Sequence, residues 1–314
     1  MDYFDLHCDS AFELYRKKAD LYSNSLGVSL EKYQKYNRKA QIFAVWCDSA
    51  STDDEAYLEF RRISAEFASQ IEKYSENAVL CTNRQTLEGD SDTRLRAILA
   101  VEDARLLGND ISRLERLYDS GVRLLTLGWQ GSTGICGAYD TDTGLTPFGF
   151  EVLKECESLG ITIDVSHLSE KAFWDVAGKA TKPFCATHSN SAMLCPHTRN
   201  LTDTQFRTVA ASGGVVGVSF VGKHLSARLE EQRADADAVY ETICTHIEHF
   251  LEMAPEAVCI GSDFDGTQRL PGLSDVSEVE SLADALQRRI CSEQTVSQVF
   301  YTNAYRFFHD VLEN

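Results

Sequence analysis

The sequence predicts a single-domain α/β protein whose eight parallel strands, each followed by helical chain, close into a β/α barrel. Three observations lead there. Short apolar runs recur eight times and alternate with helix-like stretches, the pattern of a parallel sheet covered by helices. The 314 residues contain only five prolines and no Gly/Ser-rich or Pro-rich linker, so the chain offers no obvious domain boundary. Residues able to bind metal close five of the eight runs, at the carboxyl ends where barrel enzymes assemble their sites.

The eight runs are Tyr3 to His7, Ala40 to Cys47, Ala97 to Glu102, Val122 to Leu127, Ile161 to His167, Phe184 to His188, Val215 to Phe220 and Val258 to Ser262. Helical patterns between them cover Glu55 to Lys73, Ile111 to Ser120, Gly149 to Leu159, Glu170 to Ala177, Asp203 to Ala211 and Ala236 to Met253. A TIM-type barrel takes about 250 residues or more, which this length accommodates. The polar, irregular stretch Leu21 to Arg38 reads as a long loop after the first strand, on the rim where such loops serve an active site.

Composition narrows the function classes. Hydrophobic residues at 43% and charged residues at 25% are normal for a globular chain. Thirty basic against 48 acidic residues give a net charge of −18, which argues against nucleic-acid and anionic-membrane partners, since both require a positive footprint. Acidic runs such as Asp53-Asp54-Glu55 read as solvated surface. The start, Met1-Asp2-Tyr3-Phe4-Asp5, lacks a basic and apolar leader, and no run approaches a membrane span of roughly 20 residues. The expectation is a cytoplasmic protein. Its ten cysteines are scattered singly with no Cys-x-x-Cys pair, so reduced, mostly buried thiols are expected rather than disulfides or a zinc ribbon.

His7 and Asp9 stand two apart at the end of the first run, so in extended chain both point to one side and can grip one ion. Glu102 closes the third run, His167 the fifth, His188 the sixth, and Asp263 follows the eighth. Imidazole nitrogen and carboxylate oxygen suit zinc and its neighbours, and a bridging carboxylate can hold two ions about 3.5 to 4 Å apart, acidifying a water between them. Competing patterns fall away. Asp263-Phe264-Asp265-Gly266-Thr267 spells a phosphatase nucleophile signature, but it lies near the end of the chain and no lysine follows Lys223. Gly217 to Lys223 has the spacing of a phosphate-binding loop, but its interior is strand-like and His224 replaces the required Ser or Thr. No Gly-x-Ser-x-Gly elbow or dinucleotide fingerprint occurs. His246, His249 and His309 read as surface residues of helices.

In these residues the chain resembles the renal (membrane) dipeptidase family of binuclear zinc peptidases, in the amidohydrolase-like superfamily, from Asp5 to about Phe308. The likeness rests on Asp5-Leu6-His7-x-Asp9, Ala40-Gln41-x-Phe43 before Trp46, Glu102, Asp164-x-Ser166-His167, His188-Ser189 followed by Arg199-Asn200, and Gly261-x-Asp263-Phe264-Asp265-Gly266. The resemblance implies two zinc ions, or other divalent metals. His7, Asp9 and Asp263 would ligate one, His167 and His188 the other, and Glu102 would bridge them. It also implies that Asp263 shuttles the proton of a bridging hydroxide, and that Arg199 clamps the free C-terminal carboxylate of a dipeptide with its planar donor fork. A homodimer is a further association of the family.

One departure stands out. After Leu125-Thr126-Leu127 the mammalian relatives carry Thr and a substrate-contacting His, whereas this chain has Gly128 and Trp129. An expected donor to the scissile carbonyl is missing; the metals alone, His197 or His224 are the candidates to replace it, and Trp129 can form a pocket wall. None of the secretion signal, disulfides and lipid-anchor signal of those relatives is expected here. The leading expectation is a metallodipeptidase. The alternatives are an amidohydrolase acting on N-acyl amino acids or another small amide or lactam, and a metal-binding protein without hydrolytic activity.

Overall fold

Among the described residues eight strands form, parallel throughout: β1 (Tyr3–Cys8), β2 (Lys39–Trp46), β3 (Ala78–Leu80), β4 (Leu95–Glu102), β5 (Val122–Thr126), β6 (Thr162–Asp164), β7 (Val216–Val218) and β8 (Val258–Ile260). The structure is a computed structural model that describes residues 1–47, 52–89, 93–230 and 234–313. The strands run in the order β6-β5-β4-β2-β1-β8-β7, a parallel half-barrel in which β3 pairs only with β4. β2 occupies one edge of β4, so β3 and β5 share the other: β3 pairs with Leu95 to Ala97 and β5 with Leu99 to Glu102.

The side-chain period of two divides the buried residues into two cores. Phe4, Leu6, Ile42, Ile98, Ala100, Leu124 and Cys259 face inward and pack as one cluster with Phe307 and Phe308 of the C-terminal helix Asn303–Val311. Phe43, Val45, Leu99, Val101, Leu125 and Ile163 face outward, under the helices. Alternation from Ile98 and Ala100 turns Glu102 inward, and alternation from Leu124 does the same for Thr126. Register then aligns Trp46, Glu102, Thr126 and Asp164 at one height on neighbouring strands.

β1 breaks this alternation where it matters. Asp5 pairs with Gln41 but Cys8 pairs with Phe43, three residues on β1 against two on β2. Such a bulge re-aims side chains: Cys8 joins the outward cluster, and His7 turns into the barrel.

Two expected elements need correction. The sixth expected strand, Phe184 to His188, forms no ladder, only parallel bridges from Cys185 to Asp164 and from Ala186 to Val216. Its Cys185 and Ala186 amides pair with backbone on either side, donating to the Ile163 and Val215 carbonyls at 3.0 Å each, but the next two bond side chains, Thr187 N–H donating to Asp164 Oδ1 at 3.0 Å and His188 N–H to Ser166 Oγ at 3.2 Å, so the pairing stops before a ladder forms. A strand at Ala78–Leu80 was not expected. The fifth, seventh and eighth runs are strands over three residues each.

All six expected helices form, as Asp53–Lys73, Ser112–Asp119, Pro147–Leu159, Glu170–Lys179, Asp203–Ala211 and Ala236–Leu251. Their starts follow from capping: Thr52 and Thr202 each build a reciprocal box with Glu55 and Gln205, and Thr146 caps a helix with Pro147 in its first turn. Within the expected loop after β1, a one-turn helix Leu30–Tyr33 lets Tyr33 and Tyr36 pack on Tyr3, ring centroids 6.2 and 5.2 Å away. Among the described residues no helix is long and apolar enough to cross a membrane.

Candidate active site

The six expected ligands converge at the carboxyl ends of the strands. His7 Nε2 is buried without a hydrogen-bond partner among the described residues, 3.5 Å from Asp9 Oδ2 and 3.8 Å from Glu102 Oε2. Glu102 Oε1 lies 3.0 Å from His167 Nε2 and 3.5 Å from His188 Nε2. Two sets, His7-Asp9-Asp263 and His7-Glu102-His188, each bring one donor atom per residue within 4.8 Å of the others.

The local chain explains how Asp263 arrives. Asp5, wholly buried, accepts from the N–H groups of His7 and Ser262 at 3.2 and 2.9 Å and from the Tyr3 hydroxyl at 2.8 Å. That ties the chain leaving β8 to β1, and Asp9 N–H to Phe264 O (2.9 Å) and Asp263 N–H to His7 O (3.1 Å) continue the zip. Gly266 follows because a Cβ there would run into the carboxylates of Asp9 and Asp263. His167 and Asp263 both sit in the left-handed region, at φ 69° and 63°, a strained conformation that clusters at functional sites.

Partners behind the ligands set the tautomers. The His167 Nδ1–H donates to the Trp129 carbonyl at 3.1 Å. Thr187 gives its one hydroxyl proton to Asp164 Oδ2 (2.7 Å), so at 2.8 Å it accepts from His188 Nδ1–H. Both Nε2 atoms therefore carry lone pairs, and they face each other at 2.9 Å beside a carboxylate oxygen. Such an acceptor-only cluster calls for a cation, and its nitrogen and oxygen donors suit zinc-like divalent metals.

Electrostatics agree. Burial pushes Glu102 up to about 7, and burial together with neighbouring Asp9 pushes Asp263 up to about 8. Burial works against charge on His7, but Glu102, Asp9 and Asp263 outweigh it and raise the imidazole to about 10. Burial holds His167 and His188 well below the usual histidine range. Without a cation these acids hold on to protons, and a bound metal ion would replace them.

A cavity of about 320 Å³ opens onto this cluster, lined in part by Trp46, Glu102, Trp129, Arg199, His224 and Asp263. Arg199, 4% exposed, donates from Nη1 to Ser189 Oγ at 2.8 Å and from Nη2 to the His188 carbonyl at 2.9 Å, and its buried Nε has no partner among the described residues. Trp129 forms a wall against Trp46, ring centroids 5.1 Å apart. Sequence reasoning missed Thr187 and Thr126, which bond Asp164 behind the ligand cluster, and gave no role to Asn200, whose side-chain amide donates to the carbonyls of Cys195 and His224 at 2.8 Å each. It misplaced His246: that ring is 1% exposed, accepting from Ser191 N–H and bonding the Leu225 carbonyl, both at 3.1 Å. The helix face His246 occupies packs on the loop after β7. His249 and His309 pair with Asp203 and Glu88 near the surface, at 2.8 Å each.

A parallel half-barrel carrying buried histidines and carboxylates at its carboxyl rim defines the class of metal-dependent hydrolases with an amidohydrolase-like fold. Within that class, the model of the membrane dipeptidase family (peptidase family M19) matches residues 1–314, and the chain belongs to this family of metal-dependent dipeptidases. It is 36% identical over 242 residues to an uncharacterized protein in the pqqA 5′ region of Klebsiella pneumoniae, covering 74% of this chain and 88% of that one. Among solved structures it is similar to a metallo peptidase from Rhodobacter sphaeroides liganded with a phosphinate mimic of the dipeptide L-Ala-D-Ala, at 25% identity and TM-score 0.88, covering 98% of each chain. It is similar also to dipeptidase AC, a metallo peptidase, at 26% identity and TM-score 0.91, covering 100% of this chain and 99% of that one.

Proposed function

We propose that this chain, as one domain, hydrolyses dipeptides bearing a free C-terminal carboxylate. The observation that carries the reading is the juxtaposition, in one cavity, of the acceptor-only cluster around Glu102 with the buried guanidinium of Arg199. His7, Asp9 and Asp263 would hold one divalent ion, zinc in the first place, His167 and His188 a second, and Glu102 both. When bound, such ions supply a water acidified toward neutral pH and an electrophile for the carbonyl oxygen. Asp263, at the edge of the cluster, takes the proton of the attacking water and returns it to the leaving amine. Arg199 anchors the substrate carboxylate through its unused N–H groups. The Phe184 to His188 segment, bridged on both sides, is read as the stave that closes the barrel.

The test pairs a side chain with a substrate group. Arg199→Ala should raise KM for a dipeptide by roughly 10-fold to 150-fold, the worth of a charge-assisted bond of about 1.5 to 3 kcal/mol. Amidating the substrate C-terminus should cost the wild type a similar factor, and the two losses should not add, because both remove one contact. If amidated and free dipeptides are cleaved equally well, the substrate class is wrong and N-acyl amino acids or other small amides take its place.

A further inference from the structure

The loop after β7 puts a second polar group into the cavity that no step above uses. His224 is 8% exposed and lines the cavity beside Arg199, yet among the described residues neither ring nitrogen makes a hydrogen bond. Neither nitrogen is among the solvent-excluded atoms left without a partner, so the ring's hydrogen-bonding edge is open to the cavity it lines. The ring is held firmly: His197 packs on it with centroids 4.6 Å apart, and Asn200, next to Arg199 in the chain, pins its backbone carbonyl at 2.8 Å. Arg199 and His224 are thereby fixed on one scaffold. Burial, with Arg199 and His197 adding, pushes His224 down to about 2, so the ring is neutral and carries one N–H. His197 itself is engaged, since its Nδ1 accepts the Arg199 N–H at 3.1 Å.

We propose that His224 is a catalytic residue whose ring N–H donates to the carbonyl oxygen of the scissile amide. The proposal rests on the dipeptidase reading above. In a dipeptide only the amide nitrogen and one α-carbon separate the scissile carbonyl from the terminal carboxylate. A donor to that carbonyl must therefore sit beside the carboxylate clamp and toward the ligand cluster. His224 does so: it lines the same cavity as Arg199, His167, Glu102 and Asp263. In the reaction, water oxygen adds to the carbonyl carbon and the π pair moves onto the carbonyl oxygen, where the hydrogen bond strengthens. The pair returns as the C–N bond breaks, the amine leaves with one proton from the water, and His224 neither gains nor loses one. Neutral imidazole is suited to such electrophilic work.

The experiment uses the zinc-loaded full chain. His224→Phe should lower kcat roughly 100-fold to 1,000-fold, as removing one oxyanion donor does, with KM within about threefold. Zinc content should be unchanged, and the affinity of a tetrahedral phosphinate dipeptide mimic should fall in step with kcat/KM. His224→Gln, which keeps an N–H, should recover at least about tenfold of the lost rate. A folded His224→Phe enzyme with kcat within about threefold of wild type, or a loss confined to KM, overturns the proposal. If His224→Phe does not fold, His224→Ala against His224→Gln decides by the same criterion, equal rates overturning it. A wild type that cleaves N-acyl amino acids and no dipeptide overturns the dipeptidase reading instead, and the His224 comparison is then made on that amide.

Discussion

Replacing Thr187 by valine exchanges a hydroxyl for a methyl group of similar size at a fully buried position behind the ligands. The hydroxyl accepts from His188 Nδ1–H at 2.8 Å and donates to Asp164 Oδ2 at 2.7 Å. Asp164 loses little, because the Thr126 hydroxyl at 2.7 Å and the backbone N–H groups of Ser166 and Thr187 at 2.9 and 3.0 Å remain. His188 loses its only strong Nδ1 partner, and a buried N–H left unsatisfied costs about 1 to 3 kcal/mol. With about 1 kcal/mol for the bond to Asp164, the variant should be about 2 to 4 kcal/mol less stable. The imidazole can escape by moving its proton to Nε2, but that form cannot bind a metal, so metal affinity should fall roughly 10-fold to 100-fold. Competitive chelator titration reads the affinity and thermal melts with and without zinc read the stability, with Thr187→Ser as the variant that retains both. A Thr187→Val protein that melts lower but binds zinc within about twofold of wild type would refute the orienting role and leave Thr187 as core packing alone.

Three further outcomes are expected. Glu102→Gln should weaken both ions together, measured as metal per chain by elemental analysis after dialysis; loss of one ion only would mean that Glu102 is not shared. Asp263→Asn should lower kcat by about 100-fold or more with a native circular dichroism spectrum and at least one ion retained, and an unchanged rate with less metal would make it a ligand alone. In the metal-free protein, Glu102 (about 7), Asp263 (about 8) and His7 (about 10) all titrate above their ordinary values. The folded state thus keeps protons that the unfolded chain gives up: the Glu102 contribution is lost by about pH 7, and stability should go on falling above it as Asp263 and then His7 lose their protons toward about 8 and about 10. Zinc should abolish that decline, and melting curves that are flat with pH in the metal-free protein would contradict it.

The strand ends were the most legible part of this sequence, since a ligand at the close of an apolar run follows from period and polarity alone. The ligands' local context was less so. That His7 points inward depends on a bulge in β1, and nothing in Asp-Leu-His-Cys-Asp announces an extra residue. The segment Phe184 to His188 reads as a strand because most of its residues are apolar, but the amides of Thr187 and His188 answer to the side chains of Asp164 and Ser166 on the neighbouring stretch of chain, a tertiary choice that no local pattern encodes. Thr187 looks like any strand threonine until His188 and Asp164 are seen on either side of it. His246 has helical spacing with His249, but only packing reveals that its face of the helix is covered by the loop after β7. The edge strand Ala78–Leu80 is three residues long, too short for period to register.

The backbone at His167, Asp263 and Asp265, all with φ between 63° and 70°, limits how this centre can be re-engineered. Histidine, aspartate and asparagine are the side chains that visit this region several-fold more often than others, whereas β-branched and bulky residues become genuine outliers there. Metal preference is usually altered by exchanging donor chemistry, for instance cysteine for histidine or glutamate for aspartate. At Asp9 and His188, which do not adopt a left-handed backbone, such an exchange is judged on donor geometry alone. At His167 and Asp263 the incoming residue must also hold a turn that the rest of the chain imposes. A library for altered metal use should therefore vary Asp9 and His188 first and restrict the other two to asparagine, aspartate and histidine.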